Sequence, residues 1–242
     1  MLDEALSLYS KILAECAVAE RLRRLPGIEL HPTLFNTPLI YGAAAREAMA
    51  SIYREYIQIA HSADLPLLLT APTWRLDAHR VAAAGVPSSI NADAVAFLVE
   101  LRDQAAGPPL VVGALTGPKN DCYRPDLAPG AAEAEDFHAP QIDELASTPA
   151  EFLLAQTLPS VEEALGVARA MANTGKPHLI SLLTGNCFPG RPRPDRRRVA
   201  QGSGGRGFDA NDPTAEIFFL FTISFFYWRA LPFSFRAKEI HL

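Results

Sequence analysis

The run Pro109-Leu110-Val111-Val112-Gly113-Ala114-Leu115 is continuously apolar, and the polar segment Thr116-Gly117-Pro118-Lys119-Asn120 follows it directly. An apolar run without alternation is typical of a parallel strand that is buried on both faces. Similar runs occur at residues 65–70, 152–155 and 178–183, with a weaker one at residues 12–16. Together these runs predict a parallel sheet.

The segments between these runs carry apolar residues at helical spacing. Met49, Ile52, Tyr53 and Tyr56 follow the i, i+3, i+4, i+7 pattern of a helix with one buried face. The pattern recurs within residues 94–101, 134–145 and 164–171. Strands that alternate with helices predict an α/β fold built of right-handed βα units. The periodicity leaves two architectures open, a (β/α)8 barrel and an open doubly wound sheet.

The composition fits one large globular domain. The 242 residues are 49% hydrophobic and 20% charged, which excludes a wholly disordered chain. The net charge of −5 gives no electrostatic reason to bind nucleic acid, and no apolar run reaches the length of a membrane span. We therefore expect the protein to bind neither nucleic acid nor a membrane. Three widely spaced cysteines and an acidic start, without a signal peptide pattern, predict a cytoplasmic protein.

The character of the sequence changes near residue 186. Residues 1–186 contain 13 basic and 22 acidic side chains, whereas residues 187–242 contain 9 basic and 5 acidic ones. Nine of the 13 phenylalanines also fall in the second part, beside an arginine-rich and a glycine-rich stretch. We therefore predict a domain of βα units over residues 1–186, which is a partial (β/α) barrel if the first of the two architectures applies. Residues 187–242 are predicted to form an atypical tail outside the fold of that domain.

Polar segments follow four of the predicted strands and begin at Glu15, Thr70, Thr116 and Gln156. Barrels and open α/β sheets both place their chemistry at such strand ends. An ordered set of motifs includes these segments: His31-Pro32 with Asn36, Tyr53-Arg54-Glu55-Tyr56-Ile57, Ala71-Pro72-Thr73-Trp74, Gly117-Pro118-Lys119-Asn120-Asp121-Cys122-Tyr123, Phe137-His138 with Gln141, Thr157-Leu158-Pro159-Ser160 with Glu163-Ala164, and Gly175-Lys176-Pro177. Between about Lys11 and Leu183, this set resembles the homocysteine S-methyltransferase family of zinc-dependent (β/α)8 barrels.

The resemblance implies a TIM-barrel transferase of methionine biosynthesis. Such an enzyme moves a methyl group from a sulfonium or ammonium donor, such as S-methylmethionine, S-adenosylmethionine or betaine, to the thiol of homocysteine. The implied partners are therefore a methyl donor and a thiol amino acid. A thiol with a pKa near 8.5 is mostly protonated at pH 7, and only the thiolate attacks well. In the family, a zinc ion held by three cysteine thiolates removes this proton.

The resemblance also implies five substrate-binding residues: Glu15, Thr73, Asn120, Gln156 and Thr157. Glu15 lies where the family has an acidic residue after the first strand, and Gln156 lies where it often has glutamate. A neutral amide at Gln156 forms only hydrogen bonds with a substrate ammonium group, whereas a carboxylate would also pair with its charge. For Thr73, Asn120 and Thr157, capping of helices or turns is the alternative interpretation.

Two departures from the family pattern concern the first and last parts of the chain. The family's glycine-rich turn after the first strand is replaced by Glu15-Cys16-Ala17. The sequence has no vicinal cysteine pair, and Cys187 matches no ligand motif, so we assign neither a metal ligand nor a catalytic residue. A change of reading frame near residue 186 would explain both the missing ligands and the altered composition, because the codons for residues 188–196, read one nucleotide later, can encode a family-like peptide.

Five βα units are too few to close an eight-stranded barrel, so we predict an incomplete one with exposed strand edges. Pairing with the phenylalanine-rich tail, or self-association, would cover those edges. Two functions therefore remain open. The first is methyl transfer to homocysteine, and the second is a truncated, non-catalytic pseudoenzyme that binds an amino acid or a protein partner.

Overall fold

Parallel strands form one curled sheet in the computed structural model, which describes residues 2–183 and 218–219. The strands are β1 (Leu13–Ala14), β2 (Leu67–Ala71), β3 (Leu110–Thr116), β4 (Phe152–Leu158), β5 (His178–Leu182) and β6 (Phe218–Phe219). They follow chain order across the sheet, and each pairs in parallel with the next. The sheet forms a half-barrel, which confirms the predicted α/β class and the incomplete TIM-barrel fold.

Helices precede and connect the strands. Their bounds are α1 (Leu2–Leu8), α2 (Val18–Arg23), α3 (Ala43–Ala63), α4 (Ala78–Ala84), α5 (Ile90–Asp103), α6 (Ala131–Ala146) and α7 (Val161–Ala172). Two short 3₁₀ segments lie at Thr37–Tyr41 and Pro125–Leu127. The four helices predicted from apolar spacing are confirmed as α3, α5, α6 and α7. Within residues 2–183, no helix combines the length and apolarity needed to cross a membrane.

The two faces of the sheet are buried by different elements. Successive residues of a strand point to opposite faces, so Val112 joins the large core beneath the helices while Val111 lies on the concave face. On that concave face, Val111 and Phe152 form a second cluster with Leu2 and Ala5 of α1. Burial on both faces explains why the strands lack polar and apolar alternation.

The two edges of the described sheet are both short. At one edge, Phe218 and Phe219 of β6 pair with Leu179 and Ile180 of β5, so the tail contributes two residues to the sheet. At the other, β1 spans two residues rather than the predicted residues 12–16. After β1 the chain turns into α2 at Ala17, which adopts a left-handed conformation with φ 55°. Cys187 and residues 188–196 lie outside the described residues.

The strand β4 extends three residues beyond the predicted run of residues 152–155. Its register against β5 shifts between Ala155 and Leu158, which is the mark of a β-bulge at Gln156 and Thr157. These polar residues interrupt the apolar pattern but remain in the strand. The bulge therefore places them at the carboxyl edge of the sheet.

Candidate functional site

The carboxyl ends of the strands bring several polar residues to one edge of the sheet. Glu15 follows β1, Thr70 lies near the end of β2, Thr116 ends β3, and Gln156 lies near the end of β4. Glu15 Oε2 and Thr116 Oγ1 are buried and have no hydrogen-bond partner within the described residues. Unpartnered buried polar atoms are uncommon in folded proteins. This edge, which we term the strand-end site, is therefore the candidate for ligand binding.

Glu15 is the acidic residue of the strand-end site. Its Oε1 accepts a hydrogen bond from the Thr70 hydroxyl, and Tyr53 and Thr70 are joined by a bond of 3.1 Å from the Tyr53 hydroxyl to the Thr70 carbonyl oxygen. Burial raises the pKa of the Glu15 carboxyl to about 7, although the hydrogen bonds from Thr70 act in the opposite direction. Among the described residues, one carboxyl oxygen thus has no partner, and the group changes its charge near neutral pH.

The indole of Trp74 links the loop after β2 to the end of β4. Its Nε1 lies 3.3 Å from the Gln156 carbonyl oxygen and 3.2 Å from Thr157 Oγ1. The main chain of Trp74 is held as well, because its carbonyl oxygen accepts a hydrogen bond of 2.9 Å from the Gly117 amide. A Cβ at Gly117 would overlap the indole and lie 2.6 Å from the Trp74 carbonyl oxygen. The glycine is therefore what allows Trp74 to lie across the end of β3.

Thr157 adopts a conformation that is rare for a β-branched residue. Its φ of 63° lies in the left-handed region, where the Cβ of an ordinary side chain is crowded. Its hydroxyl bonds to the Gln156 carbonyl oxygen at 2.5 Å and contacts Trp74. Strained backbone of this kind is concentrated at functional sites. The structure thus brings Gln156 and Thr157 together at the bulge, on the same edge as Glu15.

The other two predicted residues make bonds within the fold. The Thr73 hydroxyl is buried, donates to the Leu115 carbonyl oxygen at 2.6 Å and accepts from the Leu115 amide at 2.9 Å. The Asn120 side chain donates to the Leu127 carbonyl oxygen at 2.6 Å within its own loop. Both arrangements correspond to the alternative interpretation, in which these side chains hold turns. Contact of either residue with substrate stays a prediction.

A buried pair behind the edge positions the loop after β3. The Glu163 and His138 side chains are almost fully buried, and Glu163 Oε1 lies 3.1 Å from His138 Nε2. The same oxygen accepts a hydrogen bond of 2.7 Å from the Lys119 amide. His138 is therefore an interior residue of the fold. Glu163 therefore holds the start of the loop that carries Asn120.

A second buried network holds the loop after β2. The Gln141 side-chain amide of α6 donates to the Thr73 carbonyl oxygen at 2.7 Å and lies 3.3 Å from Asn91 Oδ1. Asn91 in turn donates to the Leu76 carbonyl oxygen at 3.2 Å. All three side chains that anchor these loops, Glu163, Gln141 and Asn91, are buried polar groups on helices. These three side chains therefore shape the site by holding its loops.

The described residues do not fit a zinc site. Cys16 is exposed and its Sγ lies 3.8 Å from the Tyr56 hydroxyl, while Cys122 is half-buried on another loop. Within residues 2–183, no three His, Cys, Asp or Glu side chains come together in a way that would hold a metal ion. Burial and the nearby Asp121 raise the pKa of the Cys122 thiol, which disfavours the thiolate that zinc requires.

Thr70, Trp74 and Thr116 lie at the site but are not among the five residues predicted from the sequence. Thr70 and Thr116 are polar residues near the ends of otherwise apolar strands, and that position could have indicated a role in the site. Trp74 stands next to the predicted Thr73, but its reach to β4 depends on Gly117, which sequence spacing does not reveal.

The chain matches a model of a known protein family. Residues 12–199 match the family model described as homocysteine S-methyltransferase. A comparison with curated proteins found none that matches the chain.

Proposed function

The chain belongs to the homocysteine S-methyltransferase family, and we propose that its strand-end site binds homocysteine or a related thiol amino acid as the acceptor of a methyl group. The observation that carries the proposal is the buried Oε2 of Glu15 beside Thr70, which has no hydrogen-bond partner in the described part of the chain. An ammonium group that donates to this oxygen would satisfy it and would stabilise the ionised carboxylate.

The remaining residues of the site suit the uncharged parts of such a ligand. The side-chain amide of Gln156 offers a hydrogen-bond donor and an acceptor but no charge. Glu15 is the one acidic residue among the five predicted residues. It therefore supplies the negative charge that pairs with the ligand's ammonium group. The Trp74 indole supplies an apolar surface between the ends of β2 and β4, which suits the ligand's methylene groups.

The proposed reaction moves one methyl cation equivalent. The acceptor sulfur forms a bond to the methyl carbon with an electron pair of the thiolate, and the bond from that carbon to the donor's sulfonium sulfur or ammonium nitrogen breaks. The donor leaves as a neutral thioether or tertiary amine, and the thiol proton passes to solvent. With homocysteine as acceptor, the product is methionine. The donors proposed are S-methylmethionine, S-adenosylmethionine and betaine.

A second candidate function is binding of the amino acid without turnover. The sequence favours it in one respect, because its three cysteines include no vicinal pair and so lack the family's zinc-binding set. A thiol that is not bound to metal stays mostly protonated at pH 7, which lowers the rate of attack. Such a pseudoenzyme would retain the Glu15 site and lose methyl transfer.

Calorimetry and a turnover assay separate these functions. The 242-residue chain is titrated with L-homocysteine under reducing conditions, and methionine is measured after incubation with each donor, with and without added zinc. The proposal expects homocysteine binding that weakens at least 10-fold in Glu15→Gln. Glu29→Gln, at an exposed position on the loop after α2, is the matched control.

Three outcomes are distinct. Binding together with methionine formation supports the transferase. Binding without methionine formation under any condition supports the pseudoenzyme. Absence of homocysteine binding, or equal binding by Glu15→Gln, refutes the site.

We further propose that the protein works in the cytoplasm and associates with itself through its strand edges. Cys16 and Cys122 form no disulfide bond within residues 2–183, which suits a reducing compartment. The edge strand β1 spans only two residues, so it leaves the neighbouring strand β2 sparsely covered. Light scattering during size-exclusion chromatography tests self-association, and a monomer at all concentrations would refute it.

A further inference from the structure

The imidazole of His31 closes the turn over residues 31–35. Its Nδ1 accepts hydrogen bonds from the main-chain amides of Thr33, at 3.2 Å, and Leu34, at 3.1 Å. The Thr33 hydroxyl lies 3.2 Å from the same nitrogen. A main-chain amide can only donate a hydrogen bond, so Nδ1 carries no proton and the ring proton lies on Nε2. His31 thus resembles a capping side chain at the start of a helix.

The same turn holds Phe35 in an unfavourable backbone conformation. The two ends of the turn exchange main-chain hydrogen bonds, one of 2.8 Å from the His31 amide to the Phe35 carbonyl oxygen and one of 3.0 Å in the reverse direction. Phe35 has a φ of 56°, in the left-handed region where a bulky side chain is crowded. Such a conformation persists only where the surrounding contacts hold it. The two hydrogen bonds to the His31 ring are among those contacts.

The Phe35 ring packs on the indole that crosses the strand-end site. The ring centres of Phe35 and Trp74 lie 5.4 Å apart with an angle of 85° between their planes, which is the favourable edge-to-face arrangement. The Arg75 guanidinium carbon lies 5.5 Å from the centre of the Phe35 ring. Trp74 in turn reaches the bulge in β4, where its Nε1 lies 3.3 Å from the Gln156 carbonyl oxygen. A continuous series of contacts thus runs from the His31 ring through Phe35 to the carboxyl end of β4.

Within residues 2–183, the hydrogen-bond partners of the His31 Nδ1 atom are uncharged. On the same loop, the nearest acidic residue, Glu29, is exposed. From the loop after β2, the cation of Arg75 approaches the turn but lies over the Phe35 ring. From α3, the uncharged Met49 contacts the side chain of Asn36 at 3.5 Å. The titratable and charged groups that act on Arg75 are Asp77, Arg80, Asp121 and Cys122.

We propose that His31 is a positioning residue that makes the strand-end site sensitive to pH, because protonation of its Nδ1 opens the turn and releases Phe35 from Trp74. An imidazolium has no acceptor, so both amide hydrogen bonds are lost when Nδ1 takes up a proton. His31 is half-buried, so solvent reaches it, and imidazole side chains change their charge between about pH 5 and pH 8. The effect on ligand binding rests on the proposed function, whereas the turn and its contact with Trp74 do not.

The test follows the fluorescence of Trp74 from pH 8 to pH 5 on the full chain. A Trp228→Phe background leaves Trp74 as the one tryptophan. In His31→Asn the side-chain oxygen accepts the same two amides but does not titrate, whereas His31→Leu fills a similar volume without an acceptor. His79→Gln is the matched control, because it removes an exposed histidine whose ring stacks on Phe137 at 5.9 Å. Urea unfolding at pH 8 establishes that each variant is folded.

The background protein and His79→Gln are expected to show a shift in Trp74 emission as the pH falls. His31→Asn is expected to keep the alkaline spectrum throughout, and His31→Leu to show the acid spectrum throughout. By calorimetry, L-homocysteine is expected to bind the background protein and His31→Asn equally at pH 8. At pH 5.5 the background protein is expected to bind it about 3- to 10-fold more weakly than His31→Asn. Both proteins contain Glu15, so its titration cancels in the comparison.

The outcomes that overturn the inference differ from those that overturn the proposed function. A spectrum that shifts with pH in His31→Asn as in the background protein overturns it, because another group then causes the shift. A background spectrum that does not change with pH overturns it as well. Equal homocysteine binding by the two proteins at pH 5.5, despite the shift, overturns the pH sensitivity of the site and leaves the proposed function intact. A shift that depends on His31 without any homocysteine binding supports the role of the turn while the proposed function fails.

Discussion

Substitution of Glu15 by glutamine is expected to change how stability depends on pH. In the folded protein, burial raises the pKa of this carboxyl from 4.5 to about 7. The folded state therefore retains a proton that the unfolded state releases between about pH 4.5 and pH 7. Because the folded state binds more protons in this range, the free energy of unfolding falls as pH rises through it.

The size of the effect follows from the shift. Each pKa unit corresponds to about 1.4 kcal/mol, so a rise from 4.5 to about 7 costs the unsubstituted protein about 3 kcal/mol once Glu15 is ionised. Glutamine keeps an oxygen that accepts the Thr70 hydrogen bond and never ionises. Glu15→Gln is therefore expected to gain about 3 kcal/mol relative to the unsubstituted protein between pH 4.5 and pH 8.

Urea unfolding at half-unit steps across this pH range measures the difference. Other titrating groups are common to both proteins, so their contributions cancel in the comparison. Glu29→Gln, at an exposed position, is expected to show no such trend. A stability difference between Glu15→Gln and the unsubstituted protein that stays constant with pH would refute the reasoning, because it would mean that the carboxyl titrates alike in both states.

Three further substitutions test other parts of the fold. Ala17→Gly is expected to stabilise the protein by about 1 kcal/mol in urea unfolding, because glycine relieves the left-handed φ of 55°, whereas Ala19→Gly within α2 should destabilise it by about 1 kcal/mol. Equal effects of the two changes would contradict this explanation. Glu163→Ala is expected to cost about 3 kcal/mol, since it leaves a backbone amide and a buried imidazole without their shared acceptor, and a loss below 1 kcal/mol in the same assay would contradict it. Gly117→Ala is expected to cost about 1–3 kcal/mol and to shift the fluorescence of Trp74, and an unchanged spectrum would show that the indole does not pack on this glycine.

The strands and helices were predictable where burial alone determines the residue pattern. The apolar runs placed β3 and β5 to within one residue at each end, because both faces of these strands are covered. The end of β4 was missed because the polar Gln156 and Thr157 remain in the strand through a bulge. Hydrophobic periodicity contains no information about a local change of register.

The location of the candidate site at the carboxyl edge of the sheet was predictable from the sequence, but the contacts among its side chains were not. Glu15 and Gln156 fell at strand ends, where the parallel topology brings them to one side. The direction of the Thr73 hydroxyl depends on how the chain bends after β2, and the position of Trp74 depends on Gly117, 43 residues later. Contacts over such distances follow from packing, which a single sequence does not specify.

The bridge made by Trp74 also constrains how this chain can diverge. Its indole N–H reaches main-chain and side-chain oxygens of Gln156 and Thr157, 82 and 83 residues away. An insertion or deletion in the loop after β2 would move the indole off those oxygens, and a straightened bulge in β4 would move the oxygens away from the indole. In related sequences, a change in the length of the loop after β2 is therefore expected to accompany a change at the bulge in β4.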